Sequence, residues 1–369
     1  MSYKNDRINC PGIVLIISFV TIMLLLSLTV SEVLASNSSF KTVRDMAGRE
    51  VKIPAEPDRI IGLGAGSLRM LSYFQEIERV AGVEDIETDE DYYDTPYRIA
   101  NQEFKDKTVI GPQHGGDAEL ISGVDPDIIL FFGDVSEADR LAASLEAPVV
   151  LLDYGDLYNY RDDFYQSIEL TGEVLNSNER AEELISFFEE TIADLKERSE
   201  LVELEEAPAV YAGGMSYRGS HGFTSLRTPF PPFEFIRADD VTRDYLDYEA
   251  MTQVEISREM ILDWDPDYIY LDTGNLPLIR TDFERFPEYR NLTAVRENRV
   301  YGLLPYASYN VNFGNVLANS YYIGSKIFSE AFADIDPEDK ADDIFKFLFG
   351  EAVYAEVENR TGGFGSIDI

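Results

Sequence analysis

NERAEELISFFEETIADLKERS, residues 178–199, is the stretch on which the reading of this chain turns. Its apolar residues Ala181, Leu184, Ile185, Phe188, Ile192 and Leu195 recur at steps of three and four, while Glu182, Glu183, Glu189, Glu190 and Lys196 take the remaining positions. That spacing predicts one uninterrupted amphipathic helix with a single buried stripe. Asn178 is placed to cap it, and Glu179 stands in the first turn, where the helix dipole favours a carboxylate. At about 1.5 Å per residue the rod is about 33 Å long, enough to cross a whole domain.

A repeat straddles this helix. Before it stands Glu119-Leu-Ile-Ser-Gly-Val-Asp125-Pro126-Asp127-Ile-Ile-Leu130, and after it Glu259-Met-Ile-Leu-Asp-Trp-Asp265-Pro266-Asp267-Tyr-Ile-Tyr270. Each copy runs Glu, six residues, Pro-Asp and an apolar run. A short helix must break at the proline, because the residue before proline disfavours the helical region, and the apolar run then enters a buried strand. Two copies imply two lobes of one design joined by the helix. The chain accordingly divides into a first lobe over 36–177, a linker helix over 178–200 and a second lobe over 201–369.

Residues 1–35 read as a targeting segment. Lys4 and Arg7 precede an apolar run over 13–30, and Val33-Leu34-Ala35 supplies the small residues of a cleavage site. The run is nearly long enough to span a bilayer, so a cleaved signal peptide and a retained N-terminal membrane anchor both remain open. Either places the rest of the protein outside the cytoplasm, associated with the cell surface. The one cysteine, Cys10, precedes the apolar run, so no lipoprotein attachment site is evident and no internal disulfide can form. A net charge of −38 on a chain with 45% apolar residues must be spread over the surface of a globular protein. Such a surface repels nucleic acid and offers it no basic stripe.

Within the first lobe, apolar runs at Arg59-Ile-Ile-Gly-Leu63, 79–83, 108–110, 128–132 and 149–152 alternate with helical segments. Alternation of this kind predicts an α/β fold with largely parallel sheets, and ligands bind such sheets outside the carboxyl ends of the strands. The loops at those ends carry Ser67 and Arg69, Gln113 and His114, Phe132 and Gly133, and Asp153 and Tyr154. The turn Gly62-Leu-Gly64-Ala-Gly66 has the wrong glycine spacing for a dinucleotide cradle.

The second lobe opens with an apolar run to Ala212, then Gly213-Gly-Met-Ser-Tyr217-Arg218-Gly-Ser-His221-Gly. Glycines let this loop approach a ligand closely, and Tyr217, Arg218 and His221 supply a flat face, a fixed positive charge and a titratable nitrogen. Arg227 follows, then a stiff aromatic stretch containing Phe230 and Phe233. The runs over 268–271 and 300–304 lead to Asp272-Thr273 and to Pro305-Tyr306-Ala-Ser-Tyr309-Asn310-Val-Asn312. No G-x-S-x-G elbow or H-E-x-x-H pair occurs, and among 69 carboxylates a suggestive acidic pair arises by chance. The residues therefore point to a binding protein without a catalytic apparatus, with an extracellular hydrolase as the competing class. His114 and His221 are too few for a histidine-built metal site, and no resident cofactor is expected.

From Thr42 to about Gly350 the chain resembles the substrate-binding proteins of ABC importers for iron complexes and vitamin B12, the periplasmic-binding family with a rigid inter-lobe helix. The resemblance rests on Thr42-Val-Arg-Asp-Met-Ala-Gly-Arg-Glu-Val51, Pro57-Asp-Arg-Ile-Ile61, the two Glu-x6-Pro-Asp segments, the linker helix and Arg296-Glu-Asn-Arg-Val-Tyr301. It departs at Phe74-Gln75, where the family has Leu-Gly. What it implies is two Rossmann-like lobes that close only slightly on a ligand between them, and delivery to a permease and its ATPase. The cargo implied is a small metal complex. A siderophore-like iron chelate is favoured, a corrinoid or haem is the alternative, and an oxyanion such as molybdate stands behind.

The candidate ligand residues are Ser67, Arg69, His114, Tyr154, Tyr217, Arg218, His221, Arg227, Tyr306 and Tyr309. The arginines Arg69, Arg218 and Arg227 would serve an anionic chelate. The aromatics Tyr154, Tyr217, Phe230, Phe233, Tyr306 and Tyr309 would serve a large flat one. Permease docking falls by resemblance on Glu119 and Glu259, and glutamates at equivalent places on two lobes make a two-point charged contact that fixes orientation.

Overall fold

A computed structural model describes residues 39–92, 94–202, 207–216, 219–245 and 252–369. Residues 1–35, expected to be a targeting segment, lie outside the described residues, as do Tyr217 and Arg218. The chain enters through a hairpin of β1 (Phe40–Arg44) and β2 (Glu50–Pro54), paired antiparallel from Phe40↔Pro54 to Arg44↔Glu50. Asp45 closes its turn by accepting the N–H groups of Ala47 and Arg49 at 3.1 and 2.9 Å. Then β3 (Ile60–Leu63), β4 (Val80–Gly82), β5 (Ile128–Phe132) and β6 (Val149–Leu152) form a parallel sheet in the order β4-β3-β5-β6. Strands β3, β5 and β6 are buried along their whole length, which is why they are almost entirely apolar rather than alternating. Residues 108–110, expected as a further strand, contribute only the bridge Val83↔Val109.

The second lobe repeats the plan. Its elements are β7 (Ala209–Gly213), β8 (Ser225–Thr228), β9 (Asp239–Asp240), β10 (Thr252–Glu255), β11 (Tyr268–Asp272), β12 (Val300–Leu303) and β13 (Gly365–Ser366). The order β13-β12-β11-β7-β9 makes a sheet that is parallel except for its edge strand β13, and β8 pairs with β10 as a separate antiparallel ribbon.

The repeated segment is one structural device used twice. Helix Ala118–Gly123 is capped by the carboxylate of Asp117, and helix Arg258–Trp264 by the hydroxyl of Ser257. Each copy turns through a left-handed aspartate before its proline, Asp125 at φ 47° and Asp265 at φ 41°, a conformation that aspartate tolerates better than most residues. The aspartate after the proline then clips the start of the neighbouring strand. Asp127 accepts the N–H groups of Asp58 and Arg59 at 2.8 and 2.9 Å, and Asp267 accepts that of Ala209 at 3.0 Å. The Pro-Asp pair thus sets strand register in both lobes.

The linker helix runs Asn178–Glu200, with Ser177 rather than Asn178 at the cap position and no side-chain capping bond. Its buried stripe is Ala181, Leu184, Phe188, Thr191, Ile192, Leu195 and Ser199. In the first half Phe188 meets Phe164 and Tyr73 edge-on, with ring centroids 5.1 and 6.1 Å apart. In the second half Asp194 accepts the hydroxyl of Tyr321 at 2.6 Å, and Arg198 holds Asp334 at 2.6 Å. Arg180 ties both lobes at once, donating to the carbonyls of Tyr73 at 3.0 Å and Phe347 at 2.5 Å. The apolar core beneath the helix is continuous from Val43 to Phe364 through both lobes. A shared, close-packed core resists large hinge motion.

Helix Ser67–Tyr73 ends where the resemblance leads one to expect glycine, and the backbone there is glycine-like: Gln75 sits at φ 57°, with its N–H on the carbonyl of Ser72 at 3.0 Å. A left-handed non-glycine residue costs roughly 1–2 kcal/mol, partly offset by the greater freedom that glycine would have in the unfolded chain. Gln75→Gly is therefore expected to raise unfolding stability by about 0.5–1 kcal/mol in urea titration. An unchanged or lowered midpoint would mean that the side-chain contact of Gln75 with the Phe347 carbonyl, at 3.5 Å, outweighs the strain.

Candidate functional site

The carboxyl ends of the strands in the two lobes face one another, and the loop after β12 crosses between them. Asp272, the last residue of β11, is fully buried; it accepts the N–H groups of Gly274 at 3.0 Å and Tyr306 at 3.1 Å and so fixes where this loop departs. Burial pushes its carboxyl up to about 7, and Asp94 adds to the rise. Asn312 and Asn315 both donate to the carbonyl of Pro305, at 3.3 and 2.8 Å, and secure the other end. The residues between, 308–311, lean into the first lobe.

There the loop meets Arg69, which is only 1% exposed. Its guanidinium donates to the Tyr154 hydroxyl at 2.6 Å, to the Val311 carbonyl at 2.9 Å and to the Ser308 carbonyl at 2.7 Å. Tyr154 in turn donates to Val311 at 2.8 Å and stacks on Phe313, with centroids 4.9 Å apart. A Cβ on Gly66 would fall within 2.0 Å of the Tyr154 ring, so the glycine turn after β3 exists to admit this tyrosine. Asn310 donates to the Ala65 carbonyl at 2.8 Å. Tyr309 reaches furthest: its hydroxyl donates to Glu84 at 2.8 Å and accepts the backbone N–H of His114 at 2.8 Å.

The expected ligand residues therefore fall into distinct groups. Ser67 is a correction: it is buried and its hydroxyl donates back to the carbonyl of Leu63 at the end of β3, which takes it off the cleft surface. Arg69 is a second correction, for in this form it clamps the lobes together instead of presenting a free charge to an anion. Phe230 and Phe233 are a third; both are buried, pack on each other at 5.0 Å and belong to the core. Tyr154, Tyr306, Tyr309 and His114 are brought together around the 305–312 loop. Arg227 lies beside Tyr306, with its guanidinium carbon 5.6 Å from the ring centroid. His221 lies within the second lobe, its Nδ1 4.0 Å from the Glu255 carboxylate.

Sequence reasoning missed Glu84. It is 2% exposed, directly after Val83, and holds the N–H groups of Gly64 at 3.2 Å and Gly115 at 2.8 Å. Burial raises its carboxyl to about 7 against the opposing pull of those bonds and of Tyr309. The only sequence signal is an acid at the end of an apolar strand. Among the described residues no group of three or more His, Cys, Asp or Glu is placed to hold a metal ion.

Glu119 and Glu259 are both exposed and both occupy the second position of their helices. Each helix precedes a strand of its parallel sheet and runs back against it, so its first turn lies at the carboxyl edge of the sheet. The two glutamates thus stand on the rim that carries the cleft, one on each lobe. Glu259 is held by Arg258 at 3.2 Å, and its carboxyl is lowered by hydrogen bonds from its own backbone, from Arg258 and from Ser257.

The family model described as periplasmic binding protein matches residues 60–307. An uncharacterized ABC transporter substrate-binding lipoprotein of Bacillus subtilis, YvrC, is 22% identical over 268 residues, spanning 72% of this chain and 78% of its own. Among solved structures, a periplasmic solute binding protein of Veillonella parvula superposes with a TM-score of 0.68 at 18% identity, covering 87% of this chain and 96% of that one. The molybdate-bound protein MolA of Haemophilus influenzae gives 0.65 at 16% identity, covering 85% and 98%. The petrobactin-binding protein YclQ of Bacillus subtilis gives 0.56 at 17% identity, covering 83% and 99%. What these structures share with this chain is the fold: two α/β lobes of largely parallel sheets.

Proposed function

The chain belongs to the periplasmic binding protein family, and from that premise we propose that it captures an iron chelate of siderophore type between its lobes, outside the cytoplasm, and delivers it to the permease and ATPase of an ABC importer. The observation that carries the reading is the facing of two carboxyl-edge loop sets across one cleft, bridged by a helix whose core is common to both lobes. A cleft so framed binds and releases a small molecule without domain rearrangement. The Bacillus relative bears the name of an ABC transporter substrate-binding lipoprotein, which supports the importer role, and a petrobactin-binding protein that shares the fold supports this class of cargo. Tyr309, His114 and Arg227 are the residues of the described cleft suited to an aromatic or anionic chelate, with Tyr217 and Arg218 the further candidates by sequence; Tyr306 is buried against Phe230 and supports the loop from beneath. A corrinoid or haem is the alternative cargo. Attachment to the membrane is through the permease or through the N-terminal segment, and the reading includes no catalytic step.

The test is a panel of ferric chelates, cobalamin and haem, read by the colour retained after desalting and by the rise in melting temperature. At a hundredfold excess over Kd a ligand should stabilise by about 2.7 kcal/mol. Retained colour from a ferric chelate is the expected result. If no member of the panel binds while the protein hydrolyses esters or polysaccharides, the hydrolase reading takes its place.

A further inference from the structure

The first lobe holds a preformed receptor for a single ring. Glu84 is fixed from behind by the backbone N–H groups of Gly64 and Gly115. A side chain at Gly64 would strike the Phe132 carbonyl at 2.1 Å, and Gly64 itself stands at φ 84°, so only glycine lets this cradle form. Next to the carboxylate, the His114 N–H points at the same atom that Glu84 receives, the Tyr309 hydroxyl, and the His114 ring lies 5.1 Å from the Tyr309 ring at 59°. An acceptor and a donor converging on one oxygen match a hydroxyl, which both gives and takes a hydrogen bond. An amine would set donor against donor at the His114 N–H. A phenolate would set charge against charge at Glu84.

What fills this receptor comes from the opposite lobe at a conformational cost. Tyr309 and Asn310 stand at φ 46° and 91°, a left-handed pair without glycine. The loop is otherwise held by carbonyls on Arg69 and by the Asn310 amide, a polar contact set of the kind a small molecule makes.

We propose that Glu84, the backbone N–H of His114 and the His114 ring form a phenol-binding subsite of the first lobe, which Tyr309 of the same chain occupies in this structure and which a phenol-bearing cargo takes over by displacing it. This rests on the reading of the cleft as a cargo site and narrows the cargo to one with a free phenol, distinct from any oxygens that bind its metal.

The subsite is tested without any cargo. Tyr309→Gly in the full chain removes the phenol and suits the left-handed backbone, and p-cresol is then the probe, with toluene as control, followed by saturation-transfer NMR and thermal shift. Two hydrogen bonds at roughly 1 kcal/mol each should make p-cresol bind the variant at least about tenfold more tightly than toluene, and the unaltered protein should bind neither. Should Tyr309→Gly not fold, Tyr309→Phe serves: it keeps the ring, loses both bonds that seat it, and should admit p-cresol better than the unaltered protein does. Equal binding of p-cresol and toluene by a folded Tyr309→Gly, or p-cresol binding no better than in the unaltered protein, overturns the subsite. A cargo panel without a hit would sink the importer reading and leave a positive p-cresol result standing; a panel hit with no p-cresol binding would sink the subsite alone.

Discussion

A chain carrying Glu119→Ala and Glu259→Ala together is expected to bind its cargo with unchanged affinity and to support no uptake. Both side chains are exposed, and both belong to the first turn of a helix that ends in the repeated Pro-Asp clip. The clip positions each helix against its sheet independently of the glutamate, because the register bonds come from Asp127 and Asp267. Removing the carboxylates therefore leaves the fold and the cleft in place. What is lost is a matched pair of negative charges on the two cleft rims, suited to two cationic sites on one rigid partner. Two contacts sharing one docking event behave multivalently, so each single change should weaken transport only in part. Whole-cell uptake set beside the affinity of the purified variants decides the matter. Uptake at the normal rate in the double variant, or cargo binding lost along with it, would return both residues to ordinary solvated helix-start glutamates.

The features legible in the sequence are those whose cause is local or periodic. The linker helix declares itself because Ala181, Leu184, Phe188, Ile192 and Leu195 must all face one core, and they are buried as that spacing requires. The repeat is legible because its proline, its left-handed aspartate and its clipping aspartate act within a few residues. The cleft is another matter. Arg69 looks from its neighbours like an anion anchor at a strand end, yet its partners Ser308 and Val311 lie 239 and 242 positions away. Phe230 and Phe233 read equally well as ligand-stacking aromatics until the core claims them. Glu84 is hidden by abundance, since one buried acid among 69 has no compositional mark. Where two lobes meet, side-chain roles are set by the approach of surfaces, and pattern within either lobe carries no trace of it.

The second large effect concerns pH. Among the described residues neither Glu84 nor Asp272, both buried, has a cationic partner within salt-bridge distance, and both carboxyls are raised to about 7, from ordinary values of 4.5 and 3.8. Below about pH 3 each is protonated in the folded and the unfolded chain alike, and the stability that goes with burying a neutral carboxyl is fully present. Between the ordinary value and about 7 the unfolded chain releases these protons while the folded one retains them. The folded state then binds more protons, so stability falls as pH rises through this window, and it levels off once both groups ionise in the fold. A tenfold difference in proton affinity between the folded and unfolded chain is worth about 1.36 kcal/mol, so each group is expected to lose on the order of 3 kcal/mol between about pH 4.5 and about pH 8.

The exposed carboxylates that are lowered, Asp134, Glu259 and Asp334, work in the opposite sense but titrate below the window. Self-repulsion of the −38 surface pushes the same way as the buried pair. The contribution of the pair is therefore read as a difference: urea midpoints of the unaltered protein and of Glu84→Gln/Asp272→Asn across pH 5 to 8, at high salt to screen the surface. The amides cannot ionise, so the variant's stability should decline much less with pH, and the gap between the two curves should widen from pH 5 to pH 8 in the variant's favour. Parallel curves over that range would mean that neither carboxyl holds its proton in the folded cleft.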